Sequence, residues 1–302
     1  MQPDSHRSSN RTRRRTPPEP LQTEFARQIG KWRELLARSA HKPSPGAVHD
    51  LRVATLRLQA GIEYWAGRRH DHPLAREAAR WIAQARKLRA VLGPVRGADV
   101  SLKQLKSLRE EILTSSGGAA ANDSQCIRQI EKLEREVKRA RRTGARELVD
   151  WLEKRGTRLE RKIVRLEKAL DQLNPFPPGC GRVLLSEFLS GHASTRSKLD
   201  RKTLHEFRKQ LKNVRYITEI SASGERSQKV LSVPLRKLQS ALGEWHDRDS
   251  LVRTARRALG ARAKLVGLLE ERAGKALLSA LAQTRRFLAA LSAGAAEARP
   301  LR

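Results

Sequence analysis

Four basic side chains share one face of a helix that the sequence predicts over residues 204–216. At about 100° per residue they fall within about 80° of one another, beside an apolar stripe. These four residues, called the second basic stripe below, are His205, Arg208, Lys212 and Arg215. The one acid in the stretch, Glu206, points elsewhere. A helix face that carries cations without matching acids indicates a binding surface for an anion.

An earlier stretch, residues 48–58, repeats the beginning of this pattern. Both stretches begin with an apolar residue, His, an acid, an apolar residue and Arg, and both precede a Leu-Gly pair, at 92–93 and 242–243. The first copy keeps only His49 and Arg52 on the matching face, and these two form the first basic stripe. Leu56 stands where Lys212 does, and Gln59 where Arg215 does. Two diverged copies are the simplest interpretation.

At these residues the chain resembles the CHAD family, the conserved histidine α-helical domain. Its pattern in each half is roughly His-x-x-Arg-x-x-x-Arg/Lys-Arg-x-Arg, followed by Leu-Gly-x-x-Arg-Asp-x-Asp or Leu-Gly-x-x-x-Asp. The second half fits through His205, Arg208, Lys212, Arg215 and Asp247, with Asn213 in place of a usual basic residue. The first half fits through His49, Arg52, Arg57, Arg96 and Asp99, and departs at Leu56, Gln59 and Gly97. The resemblance covers residues 21–292.

The resemblance implies an all-α protein, with two pseudo-symmetric bundles of the four-helix type packed around a basic central groove. It also implies that basic residues facing this groove bind inorganic polyphosphate. The candidate ligand residues are His49, Arg52, Arg57, Arg86, Arg89, His205, Arg208, Lys212, Arg215 and Lys237. For Arg86, Arg89 and Lys237 a plain surface position is equally open, because the sequence does not fix their helix faces.

The charge balance favours the same class of partner. The chain has 63 Lys and Arg against 32 Asp and Glu, a formal net charge of +31. Charge of this size indicates a polyanionic partner or an acidic surface, since it destabilises the compact state by self-repulsion. Aromatic residues make up only 4% of the chain, which leaves little material for base-stacking platforms. Polyphosphate binding is therefore the leading interpretation, and non-specific nucleic-acid binding is the alternative.

The sequence shows no pattern typical of phosphoryl-transfer catalysis. It lacks a glycine-rich phosphate loop, a His-based metal cluster and a nucleophile–base spacing. Residues 134–138 spell the Glu-x-Glu-x-Lys of triphosphate tunnel enzymes, but that motif belongs on a β-strand and here lies in a predicted helix. We therefore predict a binding protein, with no catalytic residue, no metal site and no cofactor. Asp99 and Asp247 are expected to have structural roles, opening a helix or holding an arginine.

The chain divides into four segments. Residues 1–20 are rich in Arg, Ser and Pro without an apolar run, so we predict a disordered basic tail and no secretory signal. The first half spans 21–173 and the second 180–292, joined by a proline-rich stretch, and 293–302 form a flexible end. Within the halves we expect helix breaks at Gly93-Pro94 and before Trp245, and a loop over 115–123.

Two further expectations concern the environment of the protein. Cys126 and Cys180 have no metal-ligand spacing, and they predict two free thiols in a reducing cytosol. No apolar run is long enough to span a membrane. We therefore expect a cytoplasmic protein associated with polyphosphate granules.

Overall fold

The computed structural model describes residues 21–68, 71–115, 121–170, 180–192, 199–221 and 226–297. Within these ranges the chain forms eight α-helices and no β-strand, which confirms the all-α prediction. The helices are α1 (Leu21–His41), α2 (Pro45–Arg68), α3 (Ala75–Ser115), α4 (Ala121–Leu170), α5 (Cys180–His192), α6 (Arg201–Ser221), α7 (Arg226–Leu259) and α8 (Lys264–Glu297).

The two helices that carry the basic stripes begin at defined caps. Before α2, the Ser44 hydroxyl accepts a hydrogen bond from the Ala47 amide at 3.3 Å, and proline occupies the first helical position. Before α6, Asp200 and Thr203 exchange hydrogen bonds: the Thr203 amide donates to the Asp200 carboxylate at 2.7 Å, and the Asp200 amide donates to the Thr203 hydroxyl at 2.8 Å. These caps fix the rotational phase of each helix and so the direction of its stripe.

Helix α3 runs without interruption through Pro94, so the predicted break at Gly93-Pro94 is wrong. A proline inside a helix removes one backbone hydrogen bond and usually bends or ends the helix. Here the α3 backbone lies closely against α4 at Gly144, where an added Cβ would come within 3.3 Å of Val95 and 3.6 Å of Pro94. A glycine on α4 therefore makes room for the proline segment, and this tertiary packing holds α3 together.

Helix α7 is also longer than the sequence suggests. It continues from Arg226 to Leu259 through Pro234 and Trp245, where we expected two separate helices. The turn to α8 contains Gly260 at a φ of 86°, a backbone conformation that glycine adopts without strain. The first and second halves thus each contain a long helix that passes from the stripe region into an apolar cluster shared by α3, α4, α7 and α8.

The apolar core does not divide at the boundary between the halves. One buried cluster contains residues from all of the first four helices, together with Tyr216, Ile217 and Ile220 of α6. A second fills the space among α5 to α8, and a third joins α3 and α4 to α7 and α8. Helix α2 packs on α6, and α3 packs on α7. The halves share their cores, and the twofold relation between them stays a prediction.

Several sequence boundaries shift or fall outside the described ranges. Helix α4 begins at Ala121, so the last residues of the predicted 115–123 loop are helical. Helix α8 extends to Glu297, beyond the predicted boundary at 292. The predicted tail over 1–20, the proline-rich stretch over 174–179 and residues 298–302 lie outside the described residues.

The two cysteines, Cys126 and Cys180, are buried thiols that form no disulfide with each other, as predicted. Of the helices that the structure describes, none combines the length and the apolar character needed to cross a bilayer.

Candidate functional site

A groove with a volume of about 420 Å³ lies where α2, α3, α6 and α7 meet, and we call it the central groove. Its walls combine parts of both basic stripes with residues from the middle of the two long helices. The lining residues are His49, Arg52, Val53, Leu56, Gly93, Arg96, Gly97, Val100, Ser101, Arg208, Lys212, Tyr216, Gln239, Gly243, His246, Asp247 and Ser250. The structure therefore brings four of the predicted ligand residues together: His49, Arg52, Arg208 and Lys212.

The α6 wall of the central groove presents two cations without ion-pair partners. Arg208 and Lys212 are half-buried, and neither makes a salt bridge with any residue that the structure describes. The Nε of Arg208 is buried without a hydrogen-bond partner among these residues. Asp247 of α7 is the one carboxylate among the described lining residues. The wall is thus an arrangement of donors whose hydrogen bonds remain available to an anion.

The α2 wall presents fewer available cationic donors than the α6 wall. Arg52 is half-buried, and its Nη1 donates a hydrogen bond at 3.0 Å to the carbonyl oxygen of Arg89. One turn further along, Leu56 takes the position that would match Lys212, and its side chain packs partly against the core. His49 lies exposed at the end of the wall. One arginine and one histidine therefore face two unpaired cations across the groove.

Burial and mutual repulsion lower the pKa values of the basic groups in the groove. Burial lowers the pKa of Lys212 from 10.5 to about 7, assisted by repulsion from Arg208 and Arg52. Burial also lowers the pKa of Arg208, and it lowers that of Arg52 with help from Arg89 and Arg208. These shifts show that the charged forms of these groups are poorly solvated in the groove. An anion in the groove would remove much of that cost.

The histidines and the acid of the groove follow the same logic. Burial and the charge of Arg208 lower the pKa of His246 to about 3, so this imidazole is neutral at pH 7. Burial lowers the pKa of His49, and repulsion from the charge of Arg96 is the next largest cause. Burial also lowers the pKa of His205, with repulsion from Lys209 as the next cause. The pKa of Asp247 is raised by burial, against the attraction of Arg208. The permanent charge of the groove therefore comes from its arginines.

Two lining residues were missed as candidate ligand residues although the repeat pointed to them. Arg96 stands three residues after Gly93, and His246 stands three residues after Gly243, so the two occupy matching positions. Both line the central groove, as do the two glycines themselves. Arg96 makes no ion pair within the described part of the chain. Aligning the copies past the Leu-Gly pairs would have identified both positions.

Two predicted residues, Arg57 and Arg215, do not line the groove. Each lies near a single acid on α6: the Arg57 Nη2 is 3.3 Å and the Arg215 Nε is 3.6 Å from a carboxylate oxygen of Glu219. Both guanidinium groups also lie over the ring of Tyr216, at 5.9 Å and 4.9 Å from its centroid. They form a shared ionic cluster behind the groove wall, in which one carboxylate serves two arginines.

The predicted residues of α3 also have partners of their own. Arg86 donates to Glu63 at 2.9 Å, and Arg89 donates to Gln59 at 2.6 Å. Gln59 in turn donates to Glu63 at 2.8 Å, which closes a small network on the surface of α2 and α3. Neither arginine lines the central groove.

The last two candidates lie at or beyond the rim. Lys237 is exposed on α7 and does not line the central groove. His205 does not line the groove either, but its ring centroid lies 5.3 Å from that of the lining residue His246. None of these placements tests ligand contact, which stays a prediction for all ten residues.

A second depression, of about 530 Å³, continues from the central groove between α3, α7 and α8. It shares Arg96, Val100 and Asp247 with the groove. Two of its three other cations have partners: Arg248 pairs with Glu244 at 2.6 Å, and Arg272 pairs with Glu111. The third, Lys103, makes no ion pair with any described residue. Three acids, Glu111, Glu244 and Asp247, also line this depression, whereas the central groove has one.

Neither predicted helix-capping acid begins a helix, since α3 and α7 pass straight through them. Asp99 instead accepts a hydrogen bond from the Arg141 Nε at 2.7 Å, and Asp247 lines the groove. The structural role predicted for Asp99 therefore takes the form of a tie between α3 and α4.

The Glu-x-Glu-x-Lys sequence lies on a helix, as predicted. Glu134 is buried and lies 3.5 Å from Lys138 and 3.7 Å from Arg109, whereas Glu136 pairs with Arg139 on the surface. Among the described residues, no three His, Cys, Asp or Glu side chains come together as a metal site would require.

Comparisons with known proteins agree with this geometry. A family model described as the CHAD domain matches residues 23–256, more than half of the chain. A crystal structure of the CHAD domain from the plant Ricinus communis is similar in fold, with a TM-score of 0.61 at 18% sequence identity. That similarity covers 94% of this chain and 93% of the plant domain. No curated protein matches the chain.

Proposed function

The chain belongs to the CHAD domain family, and we propose that it binds inorganic polyphosphate in the central groove. The observation that carries this proposal is the α6 wall. Arg208 and Lys212 are half-buried there, without ion pairs among the described residues, and the Arg208 Nε has no hydrogen-bond partner. A groove that holds desolvated, unpaired cations is preorganised for a phosphate-rich ligand.

The chemistry of polyphosphate suits this arrangement. Its chain carries close to one negative charge per phosphate and presents only oxygen acceptors, so it needs a track of donors and no base-edge contacts. Arginine supplies forked donors to such oxygens, and lysine supplies a point charge. Arg52, Arg96, Arg208 and Lys212 line the groove from three helices, α2, α3 and α6. A thin, flexible chain can follow this track, whereas a stiff duplex would be held at the rim.

We propose binding without turnover. The groove offers one carboxylate, Asp247, and no second acid beside it among the lining residues. Phosphoryl transfer usually relies on metal ions held by several carboxylates. A cytoplasmic location at polyphosphate granules is part of the same proposal and follows from the ligand.

The decisive experiment is a competition between long-chain polyphosphate and duplex DNA at equal phosphate concentration and fixed salt. We expect polyphosphate to displace labelled DNA, and DNA to displace labelled polyphosphate poorly. Arg208→Gln should weaken polyphosphate binding strongly, and Lys31→Gln is the control on an exposed cation of α1 outside the groove. Displacement of polyphosphate by DNA at equal phosphate would replace the proposal with non-specific nucleic-acid binding.

The nucleic-acid alternative has one specific observation in its favour. The net charge of +31 is far larger than the groove alone contains, so much of it covers the outer surface, where a duplex can lie. Binding of this kind would not depend on the half-buried residues. Loss of DNA binding in Arg208→Gln to the same degree as loss of polyphosphate binding would therefore contradict it.

A further inference from the structure

Another basic depression, separate from the central groove and from the depression between α3, α7 and α8, lies between the beginning of α3 and the last part of α4. It has a volume of about 320 Å³ and is lined by five cations and one acid. We call it the α3–α4 patch; its residues are Glu77, Arg80, Arg158, Arg161, Lys162 and Arg165. Since a helix rises about 1.5 Å per residue, Arg80 lies roughly 24 Å along α3 from Arg96 in the groove.

The cations of the α3–α4 patch repel one another. Arg158 and Lys162 are four residues apart on α4, as are Arg161 and Arg165, and like charges at this spacing destabilise a helix. The acid inside this stretch does not neutralise them, because Glu160 pairs with Arg33 of α1 at 2.6 Å. The sequence of α4 therefore concentrates positive charge at this place against the helix's own stability.

The hydrogen bonding of the patch leaves most of its donors free. Arg80 pairs with Glu77 at 3.5 Å, and the Arg161 Nε donates to the Thr157 carbonyl oxygen at 3.4 Å. Arg158, Lys162 and Arg165 make no ion pair with any residue that the structure describes. Three cations thus face a concave surface with their charges uncompensated.

Another stretch of the same helix shows what a merely solvated face looks like. Arg128, Lys132 and Arg135 repeat the same residue types at the same spacing, 30 residues earlier in α4. There, Glu134 pairs with Lys138 and Arg109, and Glu136 pairs with Arg139. Arg128, Lys132 and Arg135 also make no ion pair among the described residues, but they line none of the depressions described above. The patch, in contrast, gathers five cations and one acid around a single depression.

The macrodipole of α4 does not explain the patch. Cations are favoured at a helix C-terminus, but the effect is confined to about the last turn. Arg158 lies roughly three turns before the end of α4 at Leu170. The patch also adjoins the first turns of α3, where the positive end of that helix disfavours further cations. Both helix ends leave the concentration of charge unaccounted for, and a bound anion accounts for it.

We propose that the α3–α4 patch is a second phosphate-binding site that takes a separate segment of the same polyphosphate chain. This inference rests on the proposed function, because it assigns the ligand of the groove to the patch. A short phosphate chain can occupy either site alone. A long chain can occupy both at once, and the second contact then becomes intramolecular, which raises the overall affinity without any further site.

The test uses the full chain and two ligands, tripolyphosphate and long-chain polyphosphate. The patch variant is Arg158→Gln, Lys162→Gln, Arg165→Gln, and the matched control is Arg128→Gln, Lys132→Gln, Arg135→Gln. Calorimetric titration with tripolyphosphate should give two sites for the unmodified protein and the control, and one for the patch variant. The patch variant should bind long-chain polyphosphate more than tenfold more weakly, with a salt slope smaller by about two units.

The outcomes separate this inference from the proposed function. Unchanged stoichiometry and long-chain affinity in the patch variant would overturn the second site and leave the groove untouched. An equal loss in the control variant would also overturn it, because general surface charge would then explain the effect. For the groove, Arg208→Gln plus Lys212→Gln should remove the other tripolyphosphate site. If that site persists, the proposed function fails, whatever the patch does. Thermal melts check that each variant folds, and the patch variant should melt no lower than the control.

Discussion

The two walls of the central groove carry the same sequence pattern, but they differ in whether their cations have partners within the protein. On α6, Arg208 and Lys212 are left without ion pairs among the described residues, and the single acid opposite is Asp247. On α2, Arg52 donates to a carbonyl oxygen of α3, and Leu56 fills the place of a lysine. One wall keeps its cations available, and the other uses its cation for internal structure.

The difference shows that counting basic residues is a poor guide to an anion site. The first half supplies Arg57, Arg86 and Arg89, but each of them donates a hydrogen bond to Glu219, Glu63 or Gln59 and none lines the groove. The second half supplies fewer cations near the groove, and they remain unpaired. We therefore expect polyphosphate affinity to depend mainly on the unpaired, half-buried cations. Four experiments test this expectation.

The largest effect should come from matched double variants of the two walls. Arg208→Gln plus Lys212→Gln should weaken polyphosphate binding by about a hundredfold, because two charge-assisted hydrogen-bonding groups are lost. His49→Gln plus Arg52→Gln should weaken it by about tenfold, since His49 has a lowered pKa and Arg52 is already engaged. Affinity measured against salt concentration at pH 7 compares them. Equal losses would show that the walls contribute alike, and circular-dichroism melts confirm that each variant folds.

The next effect concerns pH and depends on Lys212. Its pKa in the free protein is about 7, and a bound polyanion favours the protonated form and so raises that pKa. Affinity should therefore be complete below pH 7 and fall severalfold as the pH rises from 7 to 9, with proton uptake on binding. Burial lowers the pKa values of His49, His205 and His246, which moves their titration away from this window.

Calorimetry in buffers of different ionisation enthalpy measures the proton uptake. Lys212→Arg is the control, because arginine stays charged throughout and should flatten the profile. The unfolded chain binds this proton up to about pH 10.5, so stability should rise with pH between 7 and 10.5, and Lys212→Met should raise the melting temperature. A profile unchanged in Lys212→Arg would remove Lys212 from the mechanism.

A smaller effect is expected from giving the α2 wall the residue it lacks. Leu56→Lys places a cation opposite Lys212 and should raise polyphosphate affinity by threefold to tenfold at low salt, with a steeper salt slope. The protein should lose stability, because Leu56 packs partly against the core. Leu56→Gln, which makes the same packing loss without the charge, is the control. No gain over that control would mean that the α2 wall does not face the ligand.

The smallest effect should come from the ionic cluster behind the groove. Glu219→Gln removes the acid that Arg57 and Arg215 share, and leaves every groove residue in place. Affinity for polyphosphate should change by less than about threefold, although the melting temperature should fall. An increase of tenfold or more would show that the freed arginines reach the ligand, as the sequence pattern alone suggests.

The sequence predicted the helical class well because apolar residues recur at helical spacing almost everywhere. Phe25, Ile29, Trp32 and Leu36 illustrate this, since all four are buried. The errors came where tertiary contacts overrode a local signal. Pro94 reads as a helix end, and only the contact with Gly144, 50 residues away in the chain, explains why α3 continues.

The site was predicted in part for a similar reason. His49, Arg52, Arg208 and Lys212 meet at the groove because one helix face carries each stripe. Arg57 and Arg215 lie on the same helices, but Arg57 is off the face of the first basic stripe, and both lie near Glu219 instead of lining the groove. Such a partner is visible only in three dimensions. His246 and Arg96 were predictable as groove residues, since both stand three residues after the glycine of a Leu-Gly pair.

The shared cores have a consequence for how the protein is made. The first apolar cluster needs Tyr216, Ile217 and Ile220, and the third needs α7 and α8 as well as α3 and α4. A nascent chain that has emerged only to the end of α4 therefore still exposes apolar surface that α6 and α8 will later cover. We expect its final packing to wait until the ribosome has nearly finished synthesis, so the whole domain should unfold and refold in one cooperative transition.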